Sequence, residues 1–539
     1  MDDPVLRGTL DVVESPERAT KARLYSTVAK WNHEKLANYG CGALVLYCAA
    51  VAVLSAESKP FWTDEIVTLA IVRLPTISGM WDALRRVVDA FPPPFFLLER
   101  CADKLPLDPH IAVRLPSILG FCCILLSVFA FIRRRSGGII ALVCAASLLL
   151  TVLFEPYSVE ARAYSLMTAF IALALVCYQR AEAVWSAVLL ALCLATAVST
   201  HYYAVFVLVV FGLAETAFCL EKRRFRPTVW FAICCGLAPI VAFWPLLSAV
   251  RAYFHAGFWA TPALSTAMET YGWFFRSPGP LGTALAAVAA VGVIITWAQE
   301  RIGSRSEPDP LSLPLQECVL ICGLLLVPLI VLAVTKLTHG GFTYRYMLPS
   351  LLGFPLAAGY ILARVDRKIV ALFVVFVVIA VTLQEGIGWI HRVGSRGRRI
   401  SPTADVEELV NAAGYPQLPV VISDAHDFVQ FSYYAPPELA RRLVSVVDPQ
   451  QATLYAGTDN LDKSLLALRS CLPLQLYEYD PFAAKYSRFL LYSGGGGWDW
   501  WPARLVHDRD QISLLAMKGK AKIYVVSLPS RADDHRTSN

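Results

Sequence analysis

Asp64 and Glu65 stand side by side in Phe61-Trp-Thr-Asp-Glu65, soon after the first long apolar run. Carboxylates at a membrane boundary are costly unless they have partners or a task. One carboxylate of such a pair can take a proton from an attacking hydroxyl. Repulsion between the two raises the pKa of one of them. Asp64 reads as the base and Glu65 as the group that positions it or holds a substrate. The bland alternative is an acidic pair at a helix start, favoured by the helix dipole.

Three further clusters carry chemistry. Tyr157-Ser-Val-Glu-Ala-Arg-Ala-Tyr164 supplies Glu160, Arg162 and Tyr164, and Thr200-His-Tyr-Tyr203 supplies His201 and Tyr202. Lys336-Leu-Thr-His-Gly-Gly-Phe-Thr-Tyr-Arg345 supplies Lys336, His339 and Arg345. A guanidinium grips phosphate with two parallel hydrogen bonds, so Arg345 is the foremost anion ligand, with Lys336 and Arg162 in support. The structural alternatives are an Arg162–Glu160 ion pair, aromatics that merely anchor the membrane interface, and cations snorkelling to headgroups. Arg114 reads as a brace for the loop. Asp424-Ala-His-Asp427 reads as a polar strand-to-helix turn, because no further ligands at metal spacing accompany it. No metal set is visible in the sequence, although a divalent ion is not excluded.

The elements that must position these groups are membrane helices. Of 539 residues, 56% are hydrophobic and 17% charged, against about 25% charged in a soluble domain. The mean hydropathy is +0.52. The net charge of +6 comes from short basic clusters and does not suggest nucleic-acid binding. Apolar runs near 39–56, 113–132, 138–155, 161–178, 183–199, 203–220, 228–248, 281–298, 316–335, 346–363 and 369–387 predict about eleven spans. The first follows a polar segment of about 38 residues, too long for a signal-peptide n-region, and reads as an uncleaved span. Most cysteines fall in apolar runs and behave as small hydrophobes. Cys101 and Cys471 fall outside them, and no disulfide framework is expected.

Basic residues fix the expected orientation. Lys21, Arg23, Lys30 and Lys35 precede the first span, Arg133-Arg134-Arg135 follow the second, and Lys222-Arg-Arg-Phe-Arg226 follow the sixth. Arg301 and Arg305 follow the eighth, and Arg364, Arg367 and Lys368 the tenth. The positive-inside rule puts this side and residues 1–38 in the cytosol. Residues from about 400 onward, and all four polar clusters, then lie on the opposite face. Within the outer loop 57–112, Met80 to Asp89 alternate as an amphipathic surface helix. The prolines of Phe91-Pro-Pro-Pro-Phe-Phe-Leu-Leu98 permit a helix start after them. Short apolar runs at 418–423, 442–447, 487–492 and 522–527 predict a small α/β domain over 400–539.

These pieces resemble the GT-C membrane glycosyltransferases, in the branch of the protein O-mannosyltransferases and aminoarabinose transferases. The resemblance runs over roughly residues 40–390. It rests on Asp64-Glu65, Phe91-Pro-Pro-Pro, Val113-Arg-Leu-Pro-Ser-Ile-Leu-Gly120, Tyr157 to Tyr164, Thr200-His-Tyr-Tyr203 and Arg345-Tyr-Met-Leu-Pro349, in family order. One departure is plain: the family usually has His before its Pro-Pro, where this chain has Phe91. The resemblance implies a transferase that moves a hexosyl or pentosyl group from a polyprenyl-phosphate donor to a glycan, lipid or protein acceptor. Transfer would occur on the extracytoplasmic face of a bacterial inner membrane, with inversion, Asp64 as base and no required cofactor. The rivals are a polytopic transporter or lipid flippase, which would show paired broken helices, and a scaffold, which leaves Asp64-Glu65 unexplained.

Overall fold

The computed structural model describes residues 16–254, 260–276, 279–303, 312–338, 340–394, 401–496 and 499–528. Five helices among them are long and apolar enough to cross a membrane: His33–Ser58, Leu115–Ser136, Tyr202–Lys222, Pro280–Ile302 and Arg367–Ile390. Two further spans are bent pairs. Pro227–Ala242 meets Trp244–Tyr253 at 60°, and Leu315–Leu325 meets Val327–Thr338 at 61°. Pro245 and Pro328 stand at the second position after each break, where proline removes an N–H and its ring clashes with the carbonyl four residues back.

The remaining expected spans are shorter. Gly138–Leu150, Tyr164–Tyr178 and Val184–Thr200 are apolar helices of less than full spanning length. The run at 346–363 is not one α-helix, because Pro349 lies within a 3₁₀ segment, Tyr344–Leu352, and the α-helix begins only at Gly353. The eleven apolar runs are therefore all helical, but only five are single full-length spans among the described residues. The chain is an integral membrane protein.

Between the first two long spans the chain folds into helices Thr63–Val72, Ile77–Arg85, Pro93–Ala102 and Pro109–Ala112. The Ile77 helix takes in the first part of the expected amphipathic stretch, but it ends at Arg85, and residues 86–89 leave the helix through Val87 in a left-handed conformation. It starts at the Thr76 cap, whose Oγ1 accepts the Gly79 N–H at 3.0 Å, and it buries Met80, Ala83 and Leu84. The triple proline opens the Pro93 helix, as proline in a first turn does. At the other end of the helices the basic residues pair with acids. Arg133 meets Glu34, Arg135 meets Glu317, Arg226 meets Glu215 and Arg364 meets Glu300.

Beyond residue 400 lies a six-stranded sheet of β1 (Val420–Ile422), β2 (Leu443–Val447), β3 (Leu476–Glu478), β4 (Arg488–Ser493), β5 (Gln511–Lys518) and β6 (Ala521–Ser527). Its order is β3-β2-β1-β4-β6-β5. The first four are mutually parallel, and β6 runs antiparallel to β4 and to β5. Strand alternation splits the core. Val420, Ile422, Leu490 and Ile523 join the apolar cluster that continues into the membrane helices. Val421, Leu491, Val526, Trp500 and Trp501 form a separate cluster on the other face.

Candidate functional site

Asp64 and Glu65 occupy the first turn of the Thr63 helix, but they face different surroundings. Glu65 and its partner Arg114 have side chains that are 0% exposed. Arg114 donates from Nε to Oε1 at 2.7 Å and from Nη2 to Oε2 at 2.7 Å. The Ala161 N–H reaches Oε1 at 2.9 Å and the Trp62 N–H reaches Oε2 at 3.2 Å. Arg114 also donates to the carbonyls of Ala56, Lys59 and Pro60, so it is the expected brace. Burial alone would raise the Glu65 carboxyl, yet Arg114's charge and hydrogen bonds hold it below the usual carboxylate range. Glu65, read from the sequence beside Asp64 as a catalytic candidate, is thus fully buried with both of its oxygens engaged.

Asp64 stays open. Its Oδ2 accepts from Arg345 Nη1 at 3.0 Å, with the two side chains 28% and 22% exposed. Arg345 lies 5.3 Å over the Trp62 ring. The 3₁₀ segment that carries Arg345 thus meets a helix start 281 residues away in sequence.

Arg162 does not pair with Glu160. It forms a buried ion pair with Asp89, donates to Thr68 Oγ1 at 3.0 Å and to the Asp64 carbonyl at 3.2 Å, and lies 4.1 Å over the Phe91 ring. Phe91 thereby serves as an aromatic platform for the guanidinium. Val87 precedes Asp89 with φ of +57°, a left-handed conformation that is strained for a β-branched residue. Glu160 is buried, and its Oε2 has no hydrogen-bond partner among the described residues. Burial, opposed by Lys59 and reinforced by Glu65, pushes its carboxyl up to about 7.

Tyr164, His201 and Tyr346 form one aromatic cluster with Phe91, Tyr157 and Tyr203. Ring centroids are 4.9 Å apart for His201–Tyr346 and 4.5 Å for Tyr203–Tyr346. His201 Nδ1 accepts the Tyr203 N–H at 3.2 Å. Burial, then the charge of Arg162, pushes this imidazole down to about 3, so it is neutral. Tyr202 is buried with an unpartnered hydroxyl and makes no ring contact with this cluster among the described residues. Lys336 is exposed at a helix end, with no hydrogen bond or ion pair to Asp64, Arg162 or Arg345 among the described residues. His339 lies outside the described residues.

Sequence reasoning weighed Tyr203 beside His201 and Tyr202 but missed Asp89, Tyr157 and Tyr346 as members of this cluster. Their only available signal was their closeness in sequence to motif residues. Among the described residues no group of three or more His, Cys, Asp or Glu is arranged to hold a metal ion. The cysteines are free thiols, Cys101 and Cys471 included.

No protein-family model matches the chain, and no curated protein matches it. Solved structures do. ArnT from Cupriavidus metallidurans bound to undecaprenyl phosphate aligns over 90% of this chain and 98% of its own, with a TM-score of 0.51 at 12% sequence identity. The same protein in the apo state aligns over 92% and 100%, with a TM-score of 0.41 at 14% identity. The first of these alignments takes in the membrane helices and the tail domain together, so the chain has the GT-C fold of the aminoarabinose transferase.

Proposed function

We propose that this chain is an integral-membrane glycosyltransferase that moves a sugar from a polyprenyl-phosphate donor to an acceptor hydroxyl on the extracytoplasmic face. The observation that carries the reading is the half-open Asp64–Arg345 pair, 3.0 Å apart, beside a fully closed Glu65–Arg114 pair. A base and an anion ligand that are already in contact need only a phosphate to separate them. Arg345 then turns to the donor phosphate and stabilises the charge that develops as the C1–O bond breaks. Asp64, released from it, takes the proton of the acceptor hydroxyl as oxygen attacks C1 from the opposite face, which inverts the anomeric centre. Arg162 backs the site from below, tied to Asp89 and to the Asp64 carbonyl. The aromatic cluster around Tyr164 and His201 offers ring faces to the sugar. The ArnT structure that shares the fold holds undecaprenyl phosphate, which supports a lipid-linked donor.

The basic residues at the other end of the helices support an extracytoplasmic position for the site and the tail domain. Activated sugars on that side are lipid-linked, since nucleotide sugars are cytosolic. The bent helix pairs favour the rival transporter reading, but Asp64, Arg162 and Arg345 meet at one end of the helices. The test offers purified protein in lipid nanodiscs a panel of polyprenyl-phosphate hexoses and pentoses, or nucleotide sugars, with a membrane extract as acceptor source. Sugar transfer with release of polyprenyl phosphate is expected from the lipid donors alone. Turnover of a nucleotide sugar without a lipid intermediate would overturn the proposal, as would substrate movement across vesicles without sugar transfer.

A further inference from the structure

The tail domain reaches the site through one helix. Ala425–Tyr434 starts at the carboxyl end of β1, and its first turn abuts the residues around Asp64. Thr63 Oγ1 donates to the carbonyl of His426 at 2.8 Å, so residue 426 lies against the immediate neighbour of Asp64. Gln430 Nε2 donates to the Phe61 carbonyl at 2.8 Å, and the Phe61 N–H donates to the Tyr434 hydroxyl at 2.7 Å. These three bonds lock the helix onto the segment Phe61–Asp64.

Asp424 caps the same helix and orients the imidazole. Its Oδ1 accepts the His426 N–H at 2.8 Å and lies 3.3 Å from Nδ1. When Nδ1 donates to a carboxylate, the neutral ring carries its basic lone pair on Nε2. The His426 side chain is 43% exposed while that of Asp424 is 10% exposed. One edge of the ring is therefore held by a buried carboxylate, the rest is partly open to water, and the backbone of the same residue lies against Thr63, the neighbour of Asp64.

We propose that His426 is the proton outlet of Asp64, a positioning residue that the tail domain contributes to a site otherwise built from segments that join the membrane helices. The inference rests on the reading of Asp64 as the base. In the step, the acceptor O–H bond breaks as its oxygen bonds C1. The C1–O bond to phosphate breaks with its electron pair leaving on the phosphate. The proton passes from the acceptor to the Asp64 carboxylate, then to His426 Nε2, directly or through one water, and on to solvent. Asp64 is thus returned to its ionised form for the next turnover.

The charged groups facing His426 are Asp424 and Asp427 from its own turn and Asp64 from the helix packed against it; Asp499 acts on both Asp424 and Asp427. Burial lowers the imidazole, but the hydrogen bond and charge of Asp424, with Asp64 and Asp427, raise it above its usual 6.5. A neutral ring is the one that accepts a proton, so turnover rises with pH through an apparent pKa above that of free histidine.

The experiment follows sugar transfer from a polyprenyl-phosphate donor between pH 5 and pH 9, using the full chain in nanodiscs. His426→Gln is expected to lower kcat about 10-fold or more near pH 7 and to abolish the rise with pH, while donor KM stays unchanged. Imidazole in the buffer is expected to restore His426→Ala. Asp424→Asn is expected to move the rise to lower pH. A His426→Gln enzyme with the wild-type pH profile would overturn the inference. So would His426→Ala that imidazole does not restore, or Gln430→Ala that reproduces the whole effect by loosening the interface alone. If the wild-type protein transfers no sugar at any pH, the base reading itself fails and takes this inference with it.

Discussion

Two adjacent carboxylates should give opposite phenotypes. Glu65→Gln keeps the shape of the side chain but removes the charge opposite Arg114. Both side chains are 0% exposed, so the guanidinium is left buried and uncompensated. Breaking a buried pair from one side costs about 3–5 kcal/mol. The amide's NH₂ also faces donors at one of the two carboxylate positions, where Arg114 or a backbone N–H now points at it. Asp64→Asn loses one partly exposed ion pair worth roughly 1 kcal/mol. The assay is paired: thermal unfolding in detergent and sugar transfer on the same preparations. Glu65→Gln should unfold well below wild type, and its activity at low temperature should track the fraction folded. Asp64→Asn should melt with wild type and lose about 10²–10⁴-fold in turnover. A double replacement, Glu65→Leu with Arg114→Met, should recover part of the stability. It cannot recover all of it, since the carbonyls of Ala56, Lys59 and Pro60 lose their donor. If Glu65→Gln melts like wild type and is inactive, the division of labour drawn between the two acids is wrong.

Glu160→Gln should stabilise the protein at pH 8 but not at pH 4. Its folded pKa of about 7 lies above the unfolded value, so stability falls as pH rises between the two, by up to about 3 kcal/mol; equal unfolding temperatures for mutant and wild type at pH 8 would contradict this. Asp89→Asn should weaken folding and donor use together, because Arg162 loses its buried partner beneath Asp64; the readout is unfolding temperature alongside donor KM. Tyr434→Phe removes the acceptor of the Phe61 N–H and should cost about 1 kcal/mol, seen as faster hydrogen exchange at residues 61–66.

Much of this was legible in the chain. The apolar runs mark the helices, and the Asp64-Glu65 pair marks the site proposed here, because both signals are local in sequence. The contrast in surroundings within the pair, Glu65 closed and Asp64 open, was not legible. It depends on Arg114, 49 residues away, and Arg345, 281 residues away. The strands of the sheet's interior were visible as buried runs, whereas β3 has three residues and β5 is largely exposed along its length. Asp424 is the expected helix cap. Nothing in that motif, however, announces that its histidine abuts Thr63, since the contact is made across 363 residues of chain. Asp89 was read only as part of an amphipathic pattern, which says which face is polar but not which cation waits there.

The position of β1 has a consequence for biosynthesis. This strand, which leads into the helix bearing His426, is flanked by β2 on one side and β4 on the other, and β4 is itself bordered by β6. Every membrane helix is made before any of these strands, and β6 ends at residue 527. A nascent chain therefore holds Asp64, Arg162 and Arg345 well before the sheet that seats His426 can close. The helical part thus takes its place in the bilayer first, and the contact proposed for His426 waits until β4 and β6 have been made and paired.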